Sequence, residues 1–186
     1  MSEIRVYDDF LPRSSWQKIR NAVLKNPDFH WSFSSGVADV TDEPELDDYY
    51  FINQCYYGTL IPIGKEYEYL VPLLEKINPH SVYRAKYNLH PRTAEKVCFG
   101  WHIDSVSPPK NLMTSVYYIN SNDGETHLYE NGEIVKIESI ANRLVTFPAR
   151  IKHRGTTATN TSVRCTANIN YFEYDATPIE EVPNGI

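Results

Sequence analysis

The chain has 186 residues, a formal charge of -6 and a pI near 5.5, with 41% hydrophobic and 13% aromatic residues. That size supports a core without disulfide or metal staples, and the weight of tyrosine (14 residues) favours sheet. The acidic balance disfavours a general binder of phosphate backbones, and no apolar run approaches the roughly 18 residues of a membrane span.

The N-terminus, MSEIRVYDDFLPRSS, carries charge where a signal peptide needs an apolar run. Cys55, Cys98 and Cys165 show no CxxC spacing and read as reduced, buried thiols, which points to the cytoplasm. VYDDFLPRSSWQKIRNAVLKNPDF predicts a short strand and then a helix. Pro12 with Ser14 or Ser15 marks the helix start, Trp16, Ile19, Val23 and Leu24 make one apolar stripe, and Asn26-Pro27 closes it. Residues 39–48, DVTDEPELDD, read as a solvated acidic loop, with a lid over a site as the alternative.

GKEYEYLVPLLEKINP predicts a second helical region with Tyr67, Leu70, Leu74 and Ile77 on one face, which Pro72 breaks or restarts. From Val82 onward the pattern becomes short strands: VYRAKYN, KVCFGWHID, MTSVYYIN, THLY, EIVKI, RLVTF and VRCTANINYF. ENG between THLY and EIVKI is a hairpin signal. The expected fold is mostly β with N-terminal helices, a two-layer jelly roll with helices packed on one sheet. One domain is expected over 1–186, with helical support over about 11–80, the jelly roll over about 81–174, and a poorly ordered tail over 175–186.

In a strand, His102 and Asp104 of GWHIDS point to one face. A chain with six histidines and ten aspartates carries such a pair by chance roughly one time in three, so the pair alone is weak. His153 follows 51 residues later, after RLVTF and the turn PARIK. Two imidazoles and a carboxylate can hold non-haem Fe(II) with positions left open, or a hydrolytic zinc; manganese and nickel accept the same set. Arg164, eleven residues beyond His153, decides between them. Its planar fork suits the second carboxylate of a dicarboxylate co-substrate, which a zinc hydrolase does not need.

The order HxD, about 50 residues, H, about 10 residues, R resembles the 2-oxoglutarate- and Fe(II)-dependent oxygenases, most of all their prolyl 4-hydroxylase-like branch. The resemblance covers roughly residues 80–173 and the opening VYDDFLPRSSWQKI. It implies a double-stranded β-helix in which His102, Asp104 and His153 hold iron and Arg164 anchors 2-oxoglutarate. RAKYN resembles the strand whose tyrosine helps hold that co-substrate, here Tyr87. SVYYIN followed by DGET adds Tyr118 and Thr126 to the same pocket. Asp123 and Asn142 stand where the branch has glycine, and NLHPRTAEKVCFGW is a longer insert before His102 than the branch shows.

Fe(II), 2-oxoglutarate and dioxygen are the implied cofactors, with ascorbate as reductant. The implied reaction hydroxylates a C–H bond, of a prolyl residue in a peptide or protein, and releases succinate and carbon dioxide. A free amino acid or other small molecule is the alternative substrate, and a non-catalytic jelly-roll binding or structural module the alternative function. Nucleic acid is disfavoured as a partner, and a membrane is not expected. Arg84, Arg92 and Arg154 either line a substrate groove or are simply solvated.

Overall fold

The computed structural model describes residues 3–35, 49–58, 62–105 and 107–174; the acidic stretch 39–48 and the tail from 175 fall outside them. Helix α1 spans Arg13–Leu24 and buries Ile19 and Val23, as the stripe requires. Pro12 itself is the residue before the helix, and its carbonyl accepts from the amides of Ser15 and Trp16. Both serines therefore lie inside the first turn and cap nothing. The second region splits into a 3-10 helix, Lys65–Leu70, and helix α2, Val71–Ile77. Pro72 falls in the first turn of α2, where its missing N–H has no partner to lose, so it starts a helix.

Ten strands follow the chain: β1 Arg5–Tyr7, β2 Ser32–Ser35, β3 Tyr49–Tyr57, β4 Ser81–Pro91, β5 Leu112–Tyr118, β6 Glu125–Glu130, β7 Glu133–Glu138, β8 Leu144–Pro148, β9 His153–Gly155 and β10 Val163–Phe172. A seven-stranded antiparallel sheet has the order β1-β8-β5-β10-β4-β3-β2, and a three-stranded sheet the order β7-β6-β9. In the β6–β7 hairpin Asn131 and Gly132 both have positive φ, +52° and +87°, the geometry that ENG signals.

The structure differs from expectation in three stretches of the chain. β2 and β3 lie within the stretch read as helical support; YYFINQCYY is rich in strand-formers, and its pairing with β4 decides its state. KVCFGWHID forms no strand, only the single bridges Cys98–Thr156 and His102–His153. β9 is too short for its sequence to announce, and pairing with Thr126–Leu128 of β6 makes it a strand.

Alternation along the strands separates two environments. On the large sheet, Ala85 and Tyr87 of β4, Met113 and Tyr117 of β5, and Cys165, Ala167, Ile169 and Tyr171 of β10 join α1 and α2 residues in the main core. The other faces of β5 and β8 give Val116, Tyr118, Val145 and Phe147 to a second core with Leu128, Ile137 and Ile151. Between β10 and β4 that inner face is polar, with Arg164–His90, Thr166–Asn88, Asn168–Lys86 and Asn170–Arg84 as register pairs. A sheet buried on both sides with a polar inner patch needs something there to bond.

The two departures from glycine have structural reasons. Asn142 adopts φ +67°, a conformation asparagine tolerates, and its side chain bonds Leu11 N and O and receives the Tyr117 hydroxyl. Asp123 accepts from the amides of Thr159 and Asn160 and from the Thr159 hydroxyl, tying the β5–β6 turn to the loop before β10.

Candidate metal centre and cavity

His102, Asp104 and His153 offer three ligand atoms within 4.8 Å of one another. His153 opens β9, and the reciprocal backbone bonds His102 N to His153 O (3.0 Å) and His153 N to His102 O (2.9 Å) set the two rings side by side. A strand does not carry the HxD pair; one bridge across to β9 does. His102 Nδ1 faces the Gly100 carbonyl at 3.2 Å and His153 Nδ1 the Ile151 carbonyl at 3.1 Å. Each Nδ1–H donates there, which leaves each Nε2 lone pair for a ligand role. His153 Nε2 is buried, has no hydrogen-bond partner, and lies 3.6 Å from Asp104 Oδ2.

Asp104 is held on both oxygens. Arg84 Nη2 donates to Oδ1 at 2.7 Å, while Thr114 Oγ1 and Asn170 Nδ2 donate to Oδ2 at 2.9 and 2.8 Å. Burial pushes its pKa up, but His153, Arg84 and Asn170 outweigh it and hold the carboxyl well below the usual range. Burial, reinforced by His153, depresses His102 to about 4. A carboxylate and an unprotonated imidazole at neutral pH, with an orphaned ring nitrogen beside them, fit a divalent cation.

The cluster opens into a pocket with about 60 Å³ of free space, which Asn88, His90, Asn168 and Arg164 also line. At its inner end lies Arg164, 3% exposed and without a carboxylate partner among the described residues. Nε donates to Ser139 Oγ and Nη2 to Thr126 Oγ1, both at 2.9 Å, and the Tyr118 hydroxyl donates to the same Thr126 oxygen at 2.8 Å. Thr126 thus lines the cavity, and Tyr118 lies behind it, its ring centroid 5.8 Å from the Arg164 guanidinium carbon. A fully buried cation without an anion is costly, so the residues fit a carboxylate-bearing ligand.

Gly124 explains the glycine of DGET. A Cβ there would stand 2.5 Å from Arg164 Cδ and 2.8 Å from Asn122 Oδ1. Gly124→Ala is expected to displace Arg164 and weaken 2-oxoglutarate binding by about 10- to 100-fold, the scale of about 1–3 kcal/mol of overpacking. A calorimetric titration checks this.

Tyr87 is a correction. Its ring is fully buried in the main core, its hydroxyl facing the Glu66 carbonyl, because odd-numbered β4 residues point away from the cavity. The even-numbered residues Lys86, Asn88 and His90 line it instead. Tyr50 of β3 supplies the aromatic ring: it stacks on His90 at 5.2 Å, and the Phe99 ring lies 4.7 Å from the same imidazole. The long insert before His102 therefore contributes His90 and Phe99. Arg84 and Arg154 have cavity roles, whereas Arg92 is exposed, and Cys98 is exposed where a buried thiol was expected.

Burial, with Arg164 and Lys86 nearby, holds His90 well below its ordinary value of 6.5. His90 and His102 thus stay neutral in the folded protein while the unfolded chain takes up protons near pH 6.5. Stability is full above that pH and is lost as pH falls toward about 4, by at most about 1.4 kcal/mol per pH unit for each group. The metal-free Tm is expected to drop between pH 7.5 and 5.5, and less steeply in His90→Phe.

The sheet pair is a jelly roll, and its His/Asp/His cluster has the ligand types of a mononuclear non-haem iron site. Residues 85–172 match the family model of the 2OG-Fe(II) oxygenase superfamily. Similar solved structures include a 2OG-Fe(II) family oxidoreductase of Burkholderia pseudomallei (TM-score 0.65, 12% identity, 91% of this chain and 85% of that one). A Pseudomonas putida prolyl-4-hydroxylase matches with TM-score 0.60, 12% identity, and 93% and 94% coverage. A Trichoplax adhaerens prolyl hydroxylase, in complex with a hypoxia inducible factor peptide fragment, has TM-score 0.60, 18% identity, and 92% and 84% coverage. The epimerase SnoN from nogalamycin biosynthesis also matches, with TM-score 0.63 and 12% identity over 92% of this chain and 78% of that one. At these identities the likeness is one of fold. No curated protein matches by sequence. No described helix is long and apolar enough to cross a membrane.

Proposed function

We propose that this oxygenase hydroxylates a C–H bond of a prolyl residue in a peptide or protein, using Fe(II) held by His102, Asp104 and His153. The observation that carries the reading is Arg164, a buried cation without an anion in the same cavity as the metal cluster. When bound, Fe(II) with 2-oxoglutarate and dioxygen supplies the oxidation: one oxygen atom enters the C–H bond, and the co-substrate leaves as succinate and carbon dioxide.

Arg164 receives the far carboxylate in a bidentate pair, with the Thr126 and Ser139 hydroxyls fixing the plane of its fork. Arg84, Thr114 and Asn170 keep Asp104 ionised and oriented toward the histidines. Phe99, Val116 and Tyr50 make the dry walls that exclude water from the reacting atoms. Ascorbate serves as the reductant that keeps the metal ferrous, and the unpaired thiols Cys55 and Cys165 suit the cytoplasm.

Two of the similar structures are prolyl hydroxylases, which supports a prolyl substrate. A small-molecule substrate is the second reading, favoured by the unpaired amide oxygens of Asn88 and Asn168 in the cavity. The test offers proline-containing peptides and free amino acids to the Fe(II)-loaded protein and follows succinate, with mass spectrometry for the added oxygen. Oxygen on a prolyl ring is expected. Succinate without peptide oxidation, together with an oxidised small molecule, would select the second reading.

A further inference from the structure

The cavity holds more positive charge than the co-substrate uses. Asp104, the one carboxylate among the lining residues, is already bonded by Arg84, Thr114 and Asn170. Arg164 is committed to 2-oxoglutarate in the reading above, on which this inference rests. Lys86 and Arg154 remain, and they enter from different sheets, one on β4 and one on β9.

Lys86 has no carboxylate partner among the described residues, and its Nζ lies 5.6 Å from the centroid of the Tyr50 ring. It sits one step along the inner face of β4 from Arg84, which reaches the metal ligand Asp104. Arg154 places its guanidinium carbon 4.5 Å from the centroid of the Trp101 ring and donates from Nε to His127 Nδ1 at 3.2 Å. Its position is thereby set, while the described residues offer it no carboxylate.

An unpaired lysine on an open surface is simply solvated. Lys86 differs because its register partner Asn168, only 6% exposed, and its neighbour on the same face, Asn88, both keep a buried amide oxygen with no hydrogen-bond partner. A cation and two unsatisfied amides on one patch of a cavity wall form a site for a ligand that combines a carboxylate with N–H donors.

We propose that the prime substrate carries a carboxylate, received by Lys86 and Arg154 while Asn88 and Asn168 bond its polar groups. The carboxylate belongs either to a free amino or imino acid or to an acidic residue or C-terminus of a peptide; the chemistry recognised is the same.

The test uses protein loaded with Zn(II) and 2-oxoglutarate, which does not turn over, and ligand-observed NMR with two matched pairs. These are L-proline against L-prolinamide, and N-acetyl-prolyl-glutamate against N-acetyl-prolyl-glutaminamide, which carries no carboxylate. The acid of a pair is expected to bind about 10- to 100-fold more tightly than its amide, the scale of a hydrogen bond to a charged group. Lys86→Met removes that preference and Lys86→Arg retains it. Which acid is favoured identifies the source.

In parallel, 2-oxoglutarate is titrated anaerobically into the Fe(II) protein and its weak visible absorption followed; its midpoint is expected to be the same in Lys86→Met as in wild type. Equal binding of acid and amide, binding of neither acid, or a preference that survives Lys86→Met overturns the inference. A midpoint that moves in Lys86→Met assigns Lys86 to the co-substrate and also overturns it, with the oxygenase reading intact. No absorption in wild type would instead remove the proposed function itself.

Discussion

In an anaerobic titration of the Fe(II)-loaded protein with 2-oxoglutarate, His153→Ala is expected to lose the weak visible absorption of the chelated 2-oxo acid altogether. Losing an outer partner of a metal ligand costs about 10- to 100-fold in affinity, and losing the ligand itself costs more. The backbone of His153 also holds His102 beside it in the reciprocal bridge. Alanine keeps that backbone, so the variant separates the ring's role from the strand's. Retained absorption would mean that His102 and Asp104 hold the metal without it.

For Arg164→Met the sign of the stability change is the more informative result. Truncating a well-packed buried side chain ordinarily destabilises a protein, yet here the wild-type side chain is a buried cation without an anion, whose desolvation costs several kcal/mol. Thr126 keeps the Tyr118 hydroxyl as a partner after the change, so only Ser139 Oγ loses its donor. The ligand-free variant is therefore expected to be at least as stable as wild type.

Co-substrate reverses the order. At about 100 times its Kd, 2-oxoglutarate adds roughly 2.7 kcal/mol to wild type, and at the same concentration it adds essentially nothing to Arg164→Met. Thermal denaturation with and without 2-oxoglutarate reads both effects. A variant that is destabilised when free and still stabilised by 2-oxoglutarate would show that Arg164 is a packing residue.

How far the sequence could be read depended on how local each signal was. The α1 stripe, the ENG hairpin and the restart at Pro72 are written within a turn or two of chain, so their periodicity and turn chemistry suffice. The inner row Arg84, Lys86, Asn88, His90 is also written in the chain, as alternation along one strand. The resemblance points to Tyr87 instead, whose parity places its ring on the opposite face of that strand. Tyr50 carries no such signal, since its place beside His90 depends on how β3 pairs with β4, some 40 residues away.

By itself the sequence singled out the candidate residues His102, Asp104, His153 and Arg164 and the strand-rich half that carries them, because residue chemistry and short-period patterns are local properties. Tertiary structure decided where those groups meet. A single bridge, not a strand, brings His102 to His153; Arg84 from β4 fixes Asp104; Gly124 makes room for Arg164; and the pairing of β10 with β4 turns separate polar residues into one cavity wall. These are contacts between residues far apart in the chain, whose geometry is set by sheet register and burial and has no counterpart in the spacing of residues along it.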